Sequence, residues 1–133
     1  MTRFAIDPPT ALHLAREGLR PHAAHQLVAP SSLRSRALEL LLGEVRAGTL
    51  EDRAALEIHN SLTELKVRLL GDRVSRRNAW DLARRFDWDR LSEAEYLSVA
   101  QLQADALVTL DPGLAAKAAD VVPLAPVDAL FTE

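Results

Sequence analysis

Short apolar runs alternate along the chain with longer segments in which apolar residues recur every three or four positions. The short runs are typical of buried strands, whereas the longer spacing is typical of helices that bury one face. We therefore predict strands at residues 3–6, 26–28, 106–110 and 121–122. Helices are predicted at residues 10–17, from a serine at 31 or 32 to about residue 47, from about residue 49 to 70, and from just after Asp72 to about residue 86. A fifth helix is predicted to begin near Ser92. A sixth, short helix is predicted to follow Asp111 and to end at residue 119.

Strands that are separated by helical segments predict a parallel sheet with helices on both faces, because a parallel connection needs a crossover. The uninterrupted apolar run at 106–110 is typical of a strand that is covered on both sides. A chain of 133 residues is long enough for one such domain and too short for two ordinary ones. We predict a single α/β domain, residues 1–133, with a mostly parallel central sheet.

Three carboxylates stand at the ends of predicted elements. Asp7 follows the first strand, Asp111 follows the 106–110 strand, and Glu93 lies in the first turn of the helix that Ser92 is placed to cap. Taken singly, each is explained as a helix N-cap or first-turn residue. Together they predict a pocket, since ligands bind outside the carboxyl ends of parallel strands. Converging carboxylates repel unless a cation neutralises them, and oxygen ligands suit Mg²⁺ or Mn²⁺.

Composition limits the classes of protein that these elements can form. The formal charge of −3 and the apolar fraction of 48% predict a soluble globular protein, on which any basic surface must be local. The lack of cysteine excludes disulfides and thiolate metal sites. No signal peptide and no membrane span are predicted, so we expect a cytoplasmic protein that does not associate with membranes.

One segment is rich in arginine, with Arg73, Arg76, Arg77, Arg84, Arg85 and Arg90. Two interpretations stay open: a surface that receives an RNA backbone, or a solvated helix whose charge is partly balanced by nearby aspartates. Trp80, Phe86 and Trp88 are predicted to belong to the core. His22 and His25 lie in a predicted loop with no third ligand nearby, so zinc is not predicted.

Several segments together resemble the PIN-domain proteins, and within them the VapC-like toxin nucleases of toxin–antitoxin systems. The resemblance covers nearly the whole chain, and its most specific part is the Tyr96 segment combined with the Val-Thr-Leu-Asp ending. It rests on Phe4-Ala-Ile-Asp7, Val28-Ala-Pro30, the segment 93–100, Leu107-Val-Thr-Leu-Asp111 and the segment 121–126. It implies a parallel sheet flanked by helices, and hydrolysis of RNA phosphodiesters with Mg²⁺ or Mn²⁺. It also implies a small antitoxin protein as partner, and a homodimer.

The resemblance carries over to particular residues. Asp7 looks like the first acid of the family, Asp111 like the last, and Glu93 occupies the place usually held by an aspartate. These three would be the catalytic and metal-binding residues. Thr109 matches the small hydroxyl residue that often stands two positions before the last acid.

Arg36 departs from the family pattern, because the second acid is expected at its position. A guanidinium there would compete with a metal, and Glu39, one turn along the same helix, is the nearby residue that could partly substitute. Two hypotheses follow. The first is a metal-dependent ribonuclease in which Arg36 clamps a phosphate or weakens activity. The second is a non-catalytic module that binds RNA or a protein, with Arg36 salt-bridged to Asp7 or Asp111.

Overall fold

The computed structural model describes residues 1–133 and contains four strands and six α-helices. The strands are β1 (Arg3–Ile6), β2 (Gln26–Pro30), β3 (Val67–Leu70) and β4 (Ala106–Val108). The helices are α1 (Pro8–Glu17), α2 (Leu33–Arg46), α3 (Asp52–Glu64), α4 (Arg73–Phe86), α5 (Leu91–Gln103) and α6 (Pro112–Ala118). A 3₁₀ turn at Val127–Phe131 ends the chain. No helix combines the length and the apolar character needed to cross a membrane.

The four strands form one sheet in the order β3-β2-β1-β4, and every pair is parallel. This confirms the predicted α/β fold. The chain adds β2 and then β3 on one side of β1, and only afterwards returns to place β4 on the other side. The connection that leaves β1 therefore leads to one side of this strand, and the connection that enters β4 leads to the other. This reversal opens a crevice at the carboxyl ends of β1 and β4.

Both faces of the sheet are covered. Phe4, Ala5 and Ile6 are consecutive in β1 and are all buried, although their side chains alternate between the two faces. On one side, α5 packs on β1, β2 and β4, and α4 packs on α5. The helices α1, α2 and α3 pack against one another as a second group. Leu97 of α5 and Leu41 of α2 are fully buried, and each such leucine contributes about 1.5–3 kcal/mol relative to exposure.

Predicted helix caps at the strand ends are confirmed. The Asp7 side chain accepts a hydrogen bond from the amide of Thr10 at the start of α1, and Asp111 accepts from the amides of Gly113 and Leu114 in α6. Gly18 ends α1 with φ 62°, a left-handed conformation in which a Cβ would be strained. These caps fix where two helices begin, directly after β1 and shortly after β4.

Two predicted elements are wrong. The helix predicted to run to residue 70 ends at Glu64, and β3 follows it. Leucines continue at helical spacing past residue 64, which is why a longer helix was predicted. Residues 67–70 instead pair with β2, and this pairing satisfies backbone groups at the edge of β2 that a helix would have left without partners. The strand predicted at 121–122 is a turn, because the amides of Val121 and Val122 both donate to the Ala118 carbonyl at the end of α6.

Two smaller predictions are also corrected. Helix α5 begins at Leu91 with Arg90 at its N-cap, so Ser92 lies inside the first turn and does not cap the helix. Trp80 was predicted to belong to the core, but its side chain is 57% exposed. Phe86 and Trp88 are partly buried and stack on each other, with 5.0 Å between ring centroids.

Candidate functional site

A cavity of about 460 Å³ opens at the carboxyl ends of β1 and β4, at the reversal of the sheet. Five residues selected from the sequence line it together: Asp7, Arg36, Glu39, Glu93 and Asp111. They come from four different parts of the chain. The cavity therefore brings together the three acids, the arginine that replaces the expected second acid, and its nearest acidic neighbour.

Asp7 is almost completely buried, and threonines hold both of its oxygens. Its Oδ1 accepts hydrogen bonds from the Thr10 amide at 3.1 Å and from the Thr10 hydroxyl at 2.6 Å. Its Oδ2 accepts one from the Thr109 hydroxyl. Burial raises the pKa of Asp7 above its usual value, the threonine hydrogen bonds oppose this rise, and the negative charge of Asp111 adds to it. A positive charge beside Asp7 would relieve that cost.

The two threonines also tie Asp7 to the end of β4. The Thr10 hydroxyl lies 3.2 Å from the Val108 carbonyl, and the Thr109 hydroxyl accepts from the amide of Asp111 at 3.0 Å. Thr109 was selected from the family resemblance, but Thr10 was missed. The spacing from Asp7 to Thr10 is that of a capping box, and this pattern could have identified it.

Asp111 has one oxygen engaged and one available. Its Oδ1 accepts from the amides of Gly113 at 2.9 Å and Leu114 at 3.4 Å, whereas its Oδ2 accepts no hydrogen bond. The side chain is only partly buried. Asp111 therefore presents a free carboxylate oxygen on the cavity wall.

Glu93 lines the cavity but has a cationic partner. Its Oε1 accepts from Lys117 Nζ at 2.8 Å, and the two side chains are 30% and 31% exposed. The ammonium of Lys117 also lies 5.6 Å from the centre of the Trp88 ring. Lys117 was not selected from the sequence. It lies on α6 and Glu93 on α5, 24 residues apart, so no spacing within one helix indicates the pair. The Oε2 of Glu93 accepts no hydrogen bond, so Glu93 could offer that oxygen to a cation, although the positive charge of Lys117 would oppose such binding.

Arg36 is partly buried in the cavity wall and forms no salt bridge. The predicted ion pair with Asp7 or Asp111 is therefore not formed. Tyr96, also on the wall, was missed as a site residue. Its hydroxyl is buried without a hydrogen-bond partner, and burial raises the pKa of Tyr96 to about 12, although the positive charge of Arg36 opposes this rise. The cavity thus offers an unpaired guanidinium and a protonated hydroxyl.

The donor set fits a divalent ion only in part. No three side chains of the Asp, Glu, His or Cys type are arranged to hold a metal ion together. Mg²⁺ is usually bound through one or two carboxylates, with water and substrate phosphate oxygens completing its shell. Asp7 and Asp111 supply two carboxylates to one cavity, and one oxygen of Asp111 accepts no hydrogen bond. These two residues would hold the ion, with Glu93 bound to Lys117 beside them.

Comparison with known proteins supports the fold. No protein-family model matches the chain, and no curated protein matches it. The chain is similar to the crystal structure of PAE2754 from Pyrobaculum aerophilum, with a TM-score of 0.70 and 20% sequence identity. The match covers 97% of this chain and 93% of that one. At this identity the likeness shows a shared fold and nothing about activity.

Proposed function

We propose that the chain is a ribonuclease of the VapC-like type, which hydrolyses RNA phosphodiesters with the help of Mg²⁺ or Mn²⁺. One observation carries the proposal: Asp7 and Asp111 face the same cavity at the reversal of the parallel sheet, although more than 100 residues separate them. Asp7 caps α1 and is tied to β4 through Thr10 and Thr109, whereas Asp111 caps α6 and keeps one carboxylate oxygen that accepts no hydrogen bond. The raised pKa of Asp7 indicates that the fold bears an electrostatic cost there.

Each group in the cavity has a task in this reaction. A divalent ion, when bound, neutralises phosphate charge and activates water for attack on phosphorus. Asp7 and Asp111 would hold it, and Thr10 and Thr109 fix the Asp7 carboxylate in one orientation. The free guanidinium of Arg36 can donate two parallel hydrogen bonds to a phosphate.

The biological setting is part of the same proposal. The family resemblance supports a toxin that acts in the cytoplasm, forms a homodimer and is inhibited by a small antitoxin protein. The open cavity fits an inhibitor that covers it. A co-expressed short protein that copurifies with the chain and blocks cleavage would support this setting.

The experiment is cleavage of single-stranded RNA by the purified protein, with Mn²⁺ and then with chelator. Metal-dependent cleavage should be lost in Asp7→Asn and in Asp111→Asn, because each substitution removes one of the two negatively charged carboxylates that would hold the ion. Asp120→Asn is the matched control, since Asp120 is exposed and lies outside the cavity. Cleavage that survives both site substitutions would refute the proposal.

A second candidate is a non-catalytic module of the same fold that binds RNA or a protein. The observation in its favour is Arg36, a permanent positive charge on the wall where a metal would bind. Arg36→Glu separates the two candidates. If the cavity holds a metal, the change should tighten Mn²⁺ binding about tenfold or more, because it replaces repulsion by attraction. Arg34→Glu, on the same helix but outside the cavity, is the control. Equal Mn²⁺ titrations for the two variants would favour the non-catalytic module.

A further inference from the structure

The outer face of α4 carries one exposed indole inside a row of arginines. Trp80 is 57% exposed. Arg73, Arg76 and Arg77 stand seven, four and three residues before it, Arg84 stands four residues after it, and all are exposed. Residues at these spacings share a helix face, so the five side chains form one continuous surface, which we call the α4 stripe. It extends about 16 Å along the helix axis.

Little of the positive charge of the α4 stripe is neutralised within the protein. Arg73 and Arg84 form no salt bridge and no hydrogen bond. Arg76 donates to the Gly71 carbonyl at 3.4 Å, and hydrogen bonds from Ser75, together with the charge of Arg76, lower the pKa of the exposed Asp72. Arg77 contacts Asp81 at 3.5 Å, and both side chains are largely exposed, so the pair is weak. The stripe therefore presents donors that are free to bind anions.

The opposite face of α4 is already fully used. Ala79 and Leu82 are buried, and Asn78 donates to Ser98 of α5 at 3.0 Å and to Gln101 at 2.9 Å. The core therefore does not need the indole of Trp80, and the helix is held in one rotation about its axis. This holds the stripe outward in a fixed orientation.

We propose that the α4 stripe binds single-stranded RNA, with one base stacked on Trp80 and backbone phosphates on the flanking arginines. Aromatic stacking combined with a basic surface is how proteins bind single strands without reading sequence. A strand with stacked bases and charged phosphates complements both features, whereas an apolar protein partner would leave four guanidinium groups unpaired. The choice of RNA over other single strands rests on the proposed function.

The stripe is also connected to the candidate site. The chain leaves α4 through the stacked rings of Phe86 and Trp88, and Arg90 then lines the cavity. Lys117, which holds Glu93, lies over the Trp88 ring. Arg90 therefore places a further positive charge on the cavity wall, six residues after Arg84.

Tryptophan fluorescence tests the stacking. The chain has two tryptophans, so Trp88→Phe leaves Trp80 as the sole indole. With chelator present, a short single-stranded RNA should quench its emission in a saturable way. In anisotropy titrations with labelled RNA, Trp80→Ala should weaken binding about 5- to 150-fold, and Trp80→Phe should restore most of it. Unchanged affinity in Trp80→Ala would overturn the proposal.

Salt dependence tests the phosphate contacts. In the double variant Arg73→Ala and Arg84→Ala, the slope of log affinity against log salt should fall by about 1.4, since each phosphate contact to a single strand contributes about 0.7. The double variant Arg46→Ala and Arg53→Ala removes the same charge from α2 and α3 and should keep the full slope. Equal slopes in the two double variants would overturn the phosphate assignment.

Other outcomes identify other partners. Duplex RNA that binds as tightly as the single strand would overturn the stacking, and single-stranded DNA that binds more tightly would overturn the choice of RNA. Self-association that Trp80→Ala abolishes, without quenching by RNA, would assign the stripe to a second copy of the chain. Because binding is measured with chelator, quenching without any metal-dependent cleavage would refute the ribonuclease alone.

Discussion

Asp7→Asn should stabilise the protein at neutral pH while removing its metal-dependent activity. The amide is the closest neutral replacement: it can accept from Thr10 as the carboxylate does, and its nitrogen can donate to the Thr109 hydroxyl. Asparagine and aspartate are also about equally good N-caps. The main change is therefore the removal of a buried negative charge.

The size of the effect follows from the pKa of Asp7, which burial raises in the folded protein. A group with a raised folded pKa contributes stability that is present below the unfolded pKa of about 3.9 and is lost as pH rises through the folded pKa. Each tenfold difference between the folded and unfolded acid constants costs about 1.4 kcal/mol at neutral pH. Asp7→Asn should match the wild type in acid and exceed it increasingly as pH rises, up to a plateau.

Urea denaturation over a series of pH values measures this difference. Asp7→Ala is the control, and relative to Asp7→Asn it should lose about 1–3 kcal/mol at every pH, because it lacks the same charge but also removes the cap of α1 and leaves threonine hydroxyls unpaired. Mg²⁺ at a hundred times its dissociation constant should stabilise the wild type by about 2.7 kcal/mol and leave Asp7→Asn unchanged. If Asp7→Asn is less stable than the wild type and the deficit grows with pH, the hydrogen bonds outweigh burial and the reasoning fails.

Three further predictions concern the site and the scaffold. Lys117→Met should lower the free energy of unfolding by no more than about 1 kcal/mol, because the ion pair of Lys117 with Glu93 is about one-third exposed. The same substitution should tighten Mn²⁺ binding in calorimetry, because it frees the Glu93 carboxylate. Weaker Mn²⁺ binding would contradict this prediction. Gly18→Ala should cost about 1–2 kcal/mol because its φ is 62°, whereas Gly43→Ala, inside α2 with open space around it, should gain about 0.5–1 kcal/mol. Equal urea midpoints for the two variants would be contrary to expectation. Leu97→Ala should lower the free energy of unfolding in urea by about 2–5 kcal/mol, since the Leu97 side chain is fully buried against the sheet. A loss below about 1 kcal/mol would show that neighbouring side chains fill the space that the leucine leaves.

Much of the fold could be predicted from local pattern. This holds for the strands β1, β2 and β4, for the helix caps at Asp7 and Asp111, and for the end of α1 at Gly18. Each of these features depends on residues within a few positions of one another. The convergence of Asp7, Glu93 and Asp111 on one cavity could also be foreseen, because parallel strands end at a common edge.

Contacts between distant parts of the chain could not be predicted in this way. The segment after Glu64 fits a leucine stripe, and only the open edge of β2 made it a strand. The pairing of Glu93 with Lys117, the unpaired state of Arg36 and the exposure of Trp80 depend on which helix faces meet. Local periodicity and capping act through neighbours in sequence, so the sequence by itself determined the elements and their ends. Ion pairs and burial act between elements, so only the tertiary structure decided which charges are free at the candidate site.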